Sequence, residues 1–133
     1  MTEFDSYQEK VRGFMNPKVL ESSADTFLNA LMGLSGEVGE MQDAVKKAWF
    51  HDGELDLEKL DKEAGDVLFY ITLYCISRNR QLADIAQLNV DKLNARFGGK
   101  PWSAEASKAK RDEITQELGA TTGSAGDGGT VPL

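Results

Sequence analysis

Apolar residues recur every three to four positions along most of the chain, and the alternation typical of strands is nearly absent. Asp5 and Gln8 have the spacing of a capping box at the start of the first helical stretch. Asn16-Pro17, the turn sequence His51-Asp52-Gly53 and the pair Gly98-Gly99 interrupt the pattern. The spacing predicts helices over about Asp5–Phe14, Ser22–Phe50, Asp56–Arg80, Leu82–Phe97 and Ser103–Leu118.

These elements predict an all-α protein, a helical bundle of four to five helices. The two central helices are apolar over wide faces, so we expect self-association to complete the bundle. The pattern predicts one domain over residues 1–100 and an additional C-terminal helix over 101–118. Residues 119–133 are rich in glycine, threonine and serine, which predicts a disordered tail.

The composition limits the classes of partner. With 133 residues and a net charge of -7, the chain lacks the basic surface that nucleic acid polymers or anionic membranes require. The single cysteine, Cys75, lies in a ten-residue apolar run over 67–76, which predicts a buried thiol and is too short to cross a membrane. The N-terminal residues do not resemble a signal peptide. We therefore expect a cytoplasmic protein, either bacterial or a phage protein in its host.

Two pairs of acidic residues stand on the central helices. Glu37 and Glu40 are three residues apart, and Glu63 and Asp66 repeat that spacing on the next helix. If the two helices pack antiparallel, the four carboxylates converge on one point. They would then repel one another unless a divalent cation lies between them.

The ligand types indicate which metal would suit such a site. All four donors are hard oxygens, and His51, the one histidine, does not form a Glu-x-x-His motif with them. That pattern disfavours zinc and di-iron centres. Mg²⁺ fits best, with Mn²⁺ as a substitute.

Acidic pairs at this spacing also occur on solvated helix faces, so both interpretations stay open from the residues alone. Glycines 33, 36, 39 and 65 lie among the acids, each at a cost of about 1 kcal/mol relative to alanine in a helix. Close helix packing or room for a ligand would explain them, which favours the metal site.

The order of the motifs resembles the MazG-like nucleotide pyrophosphohydrolases of the all-alpha NTP pyrophosphatase superfamily, and in particular their phage-type single-domain members. The matching segments are Gly33-Leu34-Ser35-Gly36-Glu37-Val38-Gly39-Glu40, Lys46-Lys47, Glu63-Ala64-Gly65-Asp66-Val67-Leu68-Phe69-Tyr70 and Asn89-Val90-Asp91-Lys92-Leu93-Asn94-Ala95-Arg96-Phe97. The resemblance covers roughly residues 5–100. Ala64 and Phe69 depart from the leucine and tryptophan that are frequent in the family, and both changes keep an apolar residue.

The resemblance implies hydrolysis of a (deoxy)nucleoside triphosphate to the monophosphate and pyrophosphate. It also implies Mg²⁺ held by Glu37, Glu40, Glu63 and Asp66, and assembly as a homodimer or homotetramer. Phosphoryl transfer requires charge neutralisation and an aligned water. We expect Glu40 to accept the proton of that water.

Five further residues are candidates for binding the substrate. Asn89, Lys92 and Arg96 share one side of their predicted helix, where the two cations could bind phosphate and Asn89 the sugar or base. A solvated helix face remains the alternative. Lys46 and Lys47 could also reach phosphate, although favourable interaction with the helix C-terminus explains them as well. Trp49, Phe50 and Tyr70 could stack on a base, but aromatic residues more often pack in a core.

Two other functions remain open from the sequence. One is a non-catalytic helical interaction or regulatory dimer, in which the acids are surface charge only. The other is a narrow-specificity dUTP or dCTP pyrophosphatase of the same superfamily, which would share the metal site and differ in its base pocket.

Overall fold

A computed structural model describes residues 1–122 of the chain, and within that range it contains helices and no strand. The predicted all-α class is therefore confirmed. Six helices follow one another over Glu3–Phe14 (α1), Pro17–Leu20 (α2), Ser23–Phe50 (α3), Leu57–Ser77 (α4), Leu82–Phe97 (α5) and Ala104–Thr122 (α6). No helix among the described residues is both long and apolar enough to cross a membrane.

Helix α1 begins earlier than the sequence pattern predicts, at Glu3. The hydroxyl of Thr2 accepts a hydrogen bond from the backbone N–H of Asp5 at 3.1 Å, and the Asp5 carboxylate accepts one from the N–H of Thr2 at 2.7 Å. This reciprocal pair is the capping box of the helix. The predicted box between Asp5 and Gln8 is wrong, because Asp5 stands at the third helical position and Gln8 is buried further along.

The break at Asn16-Pro17 is confirmed, but a short helix that was not predicted follows it. Proline suits the first position of a helix, where its missing N–H costs nothing. The side chain of Asn16 caps this helix by accepting a hydrogen bond from the N–H of Lys18 at 3.0 Å. The same two residues therefore end α1 and start α2.

The chain divides into two compact units, Met1–Gln87 and a second that begins at Leu88. This division falls inside α5, and the predicted domain over residues 1–100 stays a prediction. Every residue that the structure describes as buried belongs to the first unit. They are the apolar Val11, Ala30, Leu73, Cys75, Ile76 and Leu82 and the polar Gln8, Thr26 and Thr72.

Gln8 links α1 to the turn between α4 and α5. Its amide nitrogen donates to the backbone oxygen of Arg80 at 3.1 Å, and its amide oxygen accepts from the backbone N–H of Leu82 at 2.7 Å. Because Gln8 is 1% exposed, both halves of its amide need partners, and the turn provides them. This contact fixes where α5 begins.

Gly98 and Gly99 both adopt positive φ angles, 61° and 68°, and end α5 as predicted. The Ser103 hydroxyl accepts a hydrogen bond from the N–H of Ala106 at 3.2 Å at the start of α6, also as predicted. Helix α6 continues to Thr122, beyond the predicted end at Leu118. The predicted disordered tail over 119–133 stays a prediction, and residues 123–133 lie outside the described residues.

Candidate metal centre

Helices α3 and α4 form the most extensive packing within the first unit and run antiparallel. The connection between them covers only residues 51–56, which favours this arrangement. Their contacts fall in reverse order: Gly33 meets Tyr70, Glu37 meets Glu63 and Asp66, and further along α3 a shared cavity reaches back to Leu60. The antiparallel packing that the acidic pairs require is therefore present.

Three of the four predicted metal ligands come together between these helices. Carboxylate oxygens of Glu37, Glu63 and Asp66 all lie within 4.8 Å of one another. Glu37 and Glu63 are half-buried, whereas Asp66 is exposed. We call these three residues the acidic cluster. A divalent cation accepts oxygen ligands at this kind of separation, and open positions toward solvent leave room for water or phosphate.

The carboxylates of the acidic cluster repel one another, because no positive charge of a described residue lies among them to offset their negative charges. Partial burial, followed by the negative charges of Asp66 and Glu63, raises the pKa of the Glu37 carboxyl. A hydrogen bond with Glu63 and the charge of Glu40 raise it further. A bound cation would remove this repulsion. The all-oxygen donor set suits Mg²⁺ or Mn²⁺ and offers nothing that zinc would prefer.

Glu40, the fourth predicted ligand, stands outside the acidic cluster. It is exposed one turn further along α3, where its charge still raises the pKa of Glu37. This position is near the cluster without being part of it. Both predicted roles of Glu40, as a metal ligand and as the acceptor of the water's proton, stay predictions. The position outside the acidic cluster favours the second role.

Tyr7 is a neighbour of the acidic cluster that the sequence analysis did not assign. Partial burial and the charge of Asp66 both raise the pKa of its phenol, which places α1 beside the cluster. Helix α1 packs against α4, so the two groups meet through tertiary contact. No spacing along the chain links Tyr7 to Asp66, so the sequence carries no signal for this contact.

The two lysines on α3 differ in their surroundings. Lys47 forms an ion pair with Asp43 at 2.5 Å, and this hydrogen bond raises the pKa of Lys47 and lowers that of Asp43. Lys46 instead lines an open cavity of about 410 Å³ between α3 and α4. The complete lining is Met41, Gln42, Val45, Lys46, Phe50 and Leu60.

The three substrate-binding candidates of α5 belong to the second unit. Asn89, Lys92 and Arg96 are all exposed, and their spacing places them along one side of the helix. The guanidinium carbon of Arg96 lies 5.4 Å from the centre of the Phe97 ring, a cation–π contact. Their role in binding substrate stays a prediction.

The aromatic candidates divide into two groups. Tyr70 packs against Gly33, as expected of a residue in a helix contact. Trp49 and Phe50 are 80% and 76% exposed, so the expectation that they pack in the core is wrong for this chain. Both lie at the end of α3, and their rings are accessible to a ligand.

Comparison with known proteins identifies one family. The family described as MazG nucleotide pyrophosphohydrolase domain matches residues 25–98, more than half of the chain. The matched segment contains α3, α4 and α5 almost completely, together with every candidate site residue named above except Tyr7. Searches against curated proteins and against solved structures gave no match.

Proposed function

The chain belongs to the MazG nucleotide pyrophosphohydrolase family, and on this premise we propose that it hydrolyses (deoxy)nucleoside triphosphates to the monophosphate and pyrophosphate with Mg²⁺. The observation that carries the proposal is the convergence of Glu37, Glu63 and Asp66 from two antiparallel helices. A non-catalytic helical dimer would have no use for three carboxylates held within 4.8 Å at the cost of mutual repulsion.

The acidic cluster would hold the metal. Glu37 and Glu63 approach it from facing helices, and Asp66 completes the group from the exposed side. When bound, Mg²⁺ supplies charge neutralisation for the phosphates and lowers the pKa of nearby water. Mn²⁺ would serve the same role, because it accepts the same oxygen ligands.

Glu40 is the proposed proton acceptor. It stands one turn from Glu37, close enough to influence the pKa of that residue yet outside the acidic cluster. A carboxylate not committed to the metal can accept a proton from water as the water attacks phosphorus. We assign the attack to the phosphorus whose leaving group is pyrophosphate, in agreement with the family.

The cationic candidates would bind the triphosphate. Lys46 follows Glu37 by nine residues on α3, and its long side chain would provide a point charge for phosphate oxygens. Lys47 is held by Asp43 and contributes less. On α5, Arg96 and Lys92 would bind phosphate as charge develops on pyrophosphate, and Asn89 would contact the sugar or base.

We also propose that the protein is a homodimer or homotetramer. Helix α3 exposes large apolar side chains, with Leu28 at 56% and Met32 at 73%, on a face that the first unit leaves uncovered. Association of like faces would remove this apolar surface from water. The cytoplasm of a bacterium or of a phage-infected host stays the predicted location.

The reaction products provide the test of this function. Purified protein should convert ATP or dATP to the monophosphate and pyrophosphate in Mg²⁺, as followed by ³¹P NMR, and should be inactive in EDTA. Formation of the diphosphate and phosphate would indicate attack at a different phosphorus and contradict the proposal. So would the absence of turnover for every common NTP and dNTP when the protein is folded and Mg²⁺ is present.

A further inference from the structure

The cavity between α3 and α4 begins one helical turn from the acidic cluster. Met41 follows Glu37 by one turn on α3, and Leu60 precedes Glu63 by about one turn on α4. With a rise of 1.5 Å per residue, the near wall of the cavity is therefore roughly 5–6 Å along the helices from the cluster. Both features lie in the first unit, along one groove between the same two helices.

The lining of the cavity has the chemistry that a nucleobase requires. Met41, Val45 and Leu60 provide apolar walls, and Phe50 contributes an aromatic ring that is 76% exposed. All four bases can stack on aromatic and apolar side chains, because each base has a π face. The polar groups in the lining are confined to the amide of Gln42 and the ammonium of Lys46.

We propose that this cavity receives the nucleobase of the triphosphate whose phosphates bind at the acidic cluster, an inference that rests on the proposed function. In a nucleotide the sugar separates the base from the phosphates, so the base must bind a short distance along the groove from the metal, as this cavity lies. Lys46 also lines the cavity, where its ammonium can donate hydrogen bonds to acceptor atoms of the base or sugar.

The same lining sets the specificity. A volume of about 410 Å³ accepts a purine as well as a pyrimidine. Strong discrimination between bases requires buried hydrogen-bonding groups that a wrong base leaves unpaired, whereas an apolar pocket discriminates by roughly 10- to 200-fold. With Gln42 as the one uncharged polar side chain in the lining, the substrate class is nucleoside triphosphates of either base type, and not dUTP or dCTP alone.

Filling the cavity tests this assignment. Val45 is 41% exposed, so Val45→Trp places an indole in the cavity without disturbing a buried core. The matched control is Ile114→Trp, a β-branched residue on α6 that is 45% exposed and does not line the cavity. Calorimetry with Mg²⁺ would compare two ligands, α,β-imido dATP and the base-free tripolyphosphate.

We expect Val45→Trp to weaken binding of the imido nucleotide by about tenfold or more, since stacking in the cavity is lost. Tripolyphosphate binding should be unchanged, and the control variant should bind both ligands as the wild type does. Equal weakening of both ligands, or no weakening of either, would overturn the cavity assignment while leaving the proposed function intact.

Two further results would count against the assignment. If Val45→Trp alters the oligomeric state by light scattering and leaves nucleotide affinity unchanged, the cavity is a contact between copies of the chain. A wild type that hydrolyses one pyrimidine triphosphate more than about 1,000-fold better than the purines would contradict the broad specificity. Failure of the wild type to bind either ligand with Mg²⁺ would instead contradict the proposed function, and the cavity assignment with it.

Discussion

The ring of Tyr70 lies directly against the backbone of Gly33, and this contact sets the approach of α4 to α3 one turn before the acidic cluster. A Cβ atom at residue 33 would overlap three ring atoms of Tyr70. In contrast, a Cβ at Gly36 would meet no atom within 4 Å. Neighbouring glycines of one motif therefore have different structural roles, and only the first is required by the contact between the helices.

Gly33→Ala should destabilise the protein by about 1–3 kcal/mol, because the Tyr70 ring must move to admit the methyl group. Gly36→Ala is the matched control and should be neutral or stabilising by up to roughly 1 kcal/mol, since alanine favours the helix. Urea unfolding monitored by circular dichroism measures both. Equal effects of the two substitutions would show that the contact between Gly33 and Tyr70 does not limit helix approach.

The stability of the metal-free protein should depend on pH through Glu37. The folded state raises the pKa of this carboxyl above its ordinary value of 4.5, so the folded protein holds the proton more tightly than the unfolded chain. The free energy of unfolding therefore falls as pH rises from 4.5 through the raised pKa. Thermal denaturation in EDTA across this range should show the decline, and Glu37→Gln should reduce it.

Mg²⁺ should restore the stability that the metal-free protein loses as pH rises. Binding to the acidic cluster stabilises the folded state by about 2.7 kcal/mol at a concentration 100 times the Kd, and the effect should diminish at acid pH, where the carboxylates are protonated. Titration of Mg²⁺ at pH 7.5 and pH 4.5, followed by the change in Tm, measures this. The same Tm with and without Mg²⁺ at pH 7.5 would exclude a metal site at these residues.

Substitutions of Glu37 and of Glu40 should have different effects on metal binding and on catalysis. Because Glu40 stands outside the acidic cluster, Glu40→Gln should keep the rise in Tm with Mg²⁺ while lowering kcat by about 100-fold or more. Glu37→Gln should lose both. The comparison requires Tm with and without Mg²⁺ and steady-state kinetics on the same preparations. If Glu40→Gln also abolishes the Mg²⁺ effect on Tm, Glu40 is a ligand, as the sequence analysis first proposed.

Gln8→Ala should destabilise the first unit by about 1–3 kcal/mol, because it leaves the backbone groups of Arg80 and Leu82 without their buried partner. The adjacent Glu9→Ala is the control. Glu9 is exposed and forms an ion pair with Arg12 at 3.6 Å, so its loss should change stability by less than about 0.5 kcal/mol. Hydrogen exchange should also show faster exchange at the Leu82 amide in Gln8→Ala alone.

The sequence predicted the parts of the fold that depend on local signals. Apolar periodicity located α3, α4 and α5, and the paired glycines located the end of α5. Errors arose where two local signals competed: Thr2 and Asp5 form the capping box that had been assigned to Asp5 and Gln8. The length of α6 was underestimated, because composition alone did not indicate that the helix extends to Thr122.

The candidate site was predictable to the extent that helix spacing determines it. The i,i+3 pairs placed three carboxylates together once α3 and α4 packed antiparallel. Contacts set by tertiary packing left no such signal, which is why Tyr7 beside Asp66 was missed. Nor could spacing distinguish Lys46, which lines the cavity, from Lys47, which pairs with Asp43.

The most direct test of the account compares pyrophosphate release for wild type, Glu63→Gln and Glu58→Gln over a titration of Mg²⁺ with a common dNTP. Glu58 is an exposed acid of the same helix, paired with Lys62 at 3.0 Å, and serves as the matched control. We predict Mg²⁺-dependent release by the wild type and by Glu58→Gln, and a loss in kcat/KM of at least about 100-fold in Glu63→Gln. Full activity of Glu63→Gln, or equal loss in the two variants, would contradict the assignment of the acidic cluster as the metal centre.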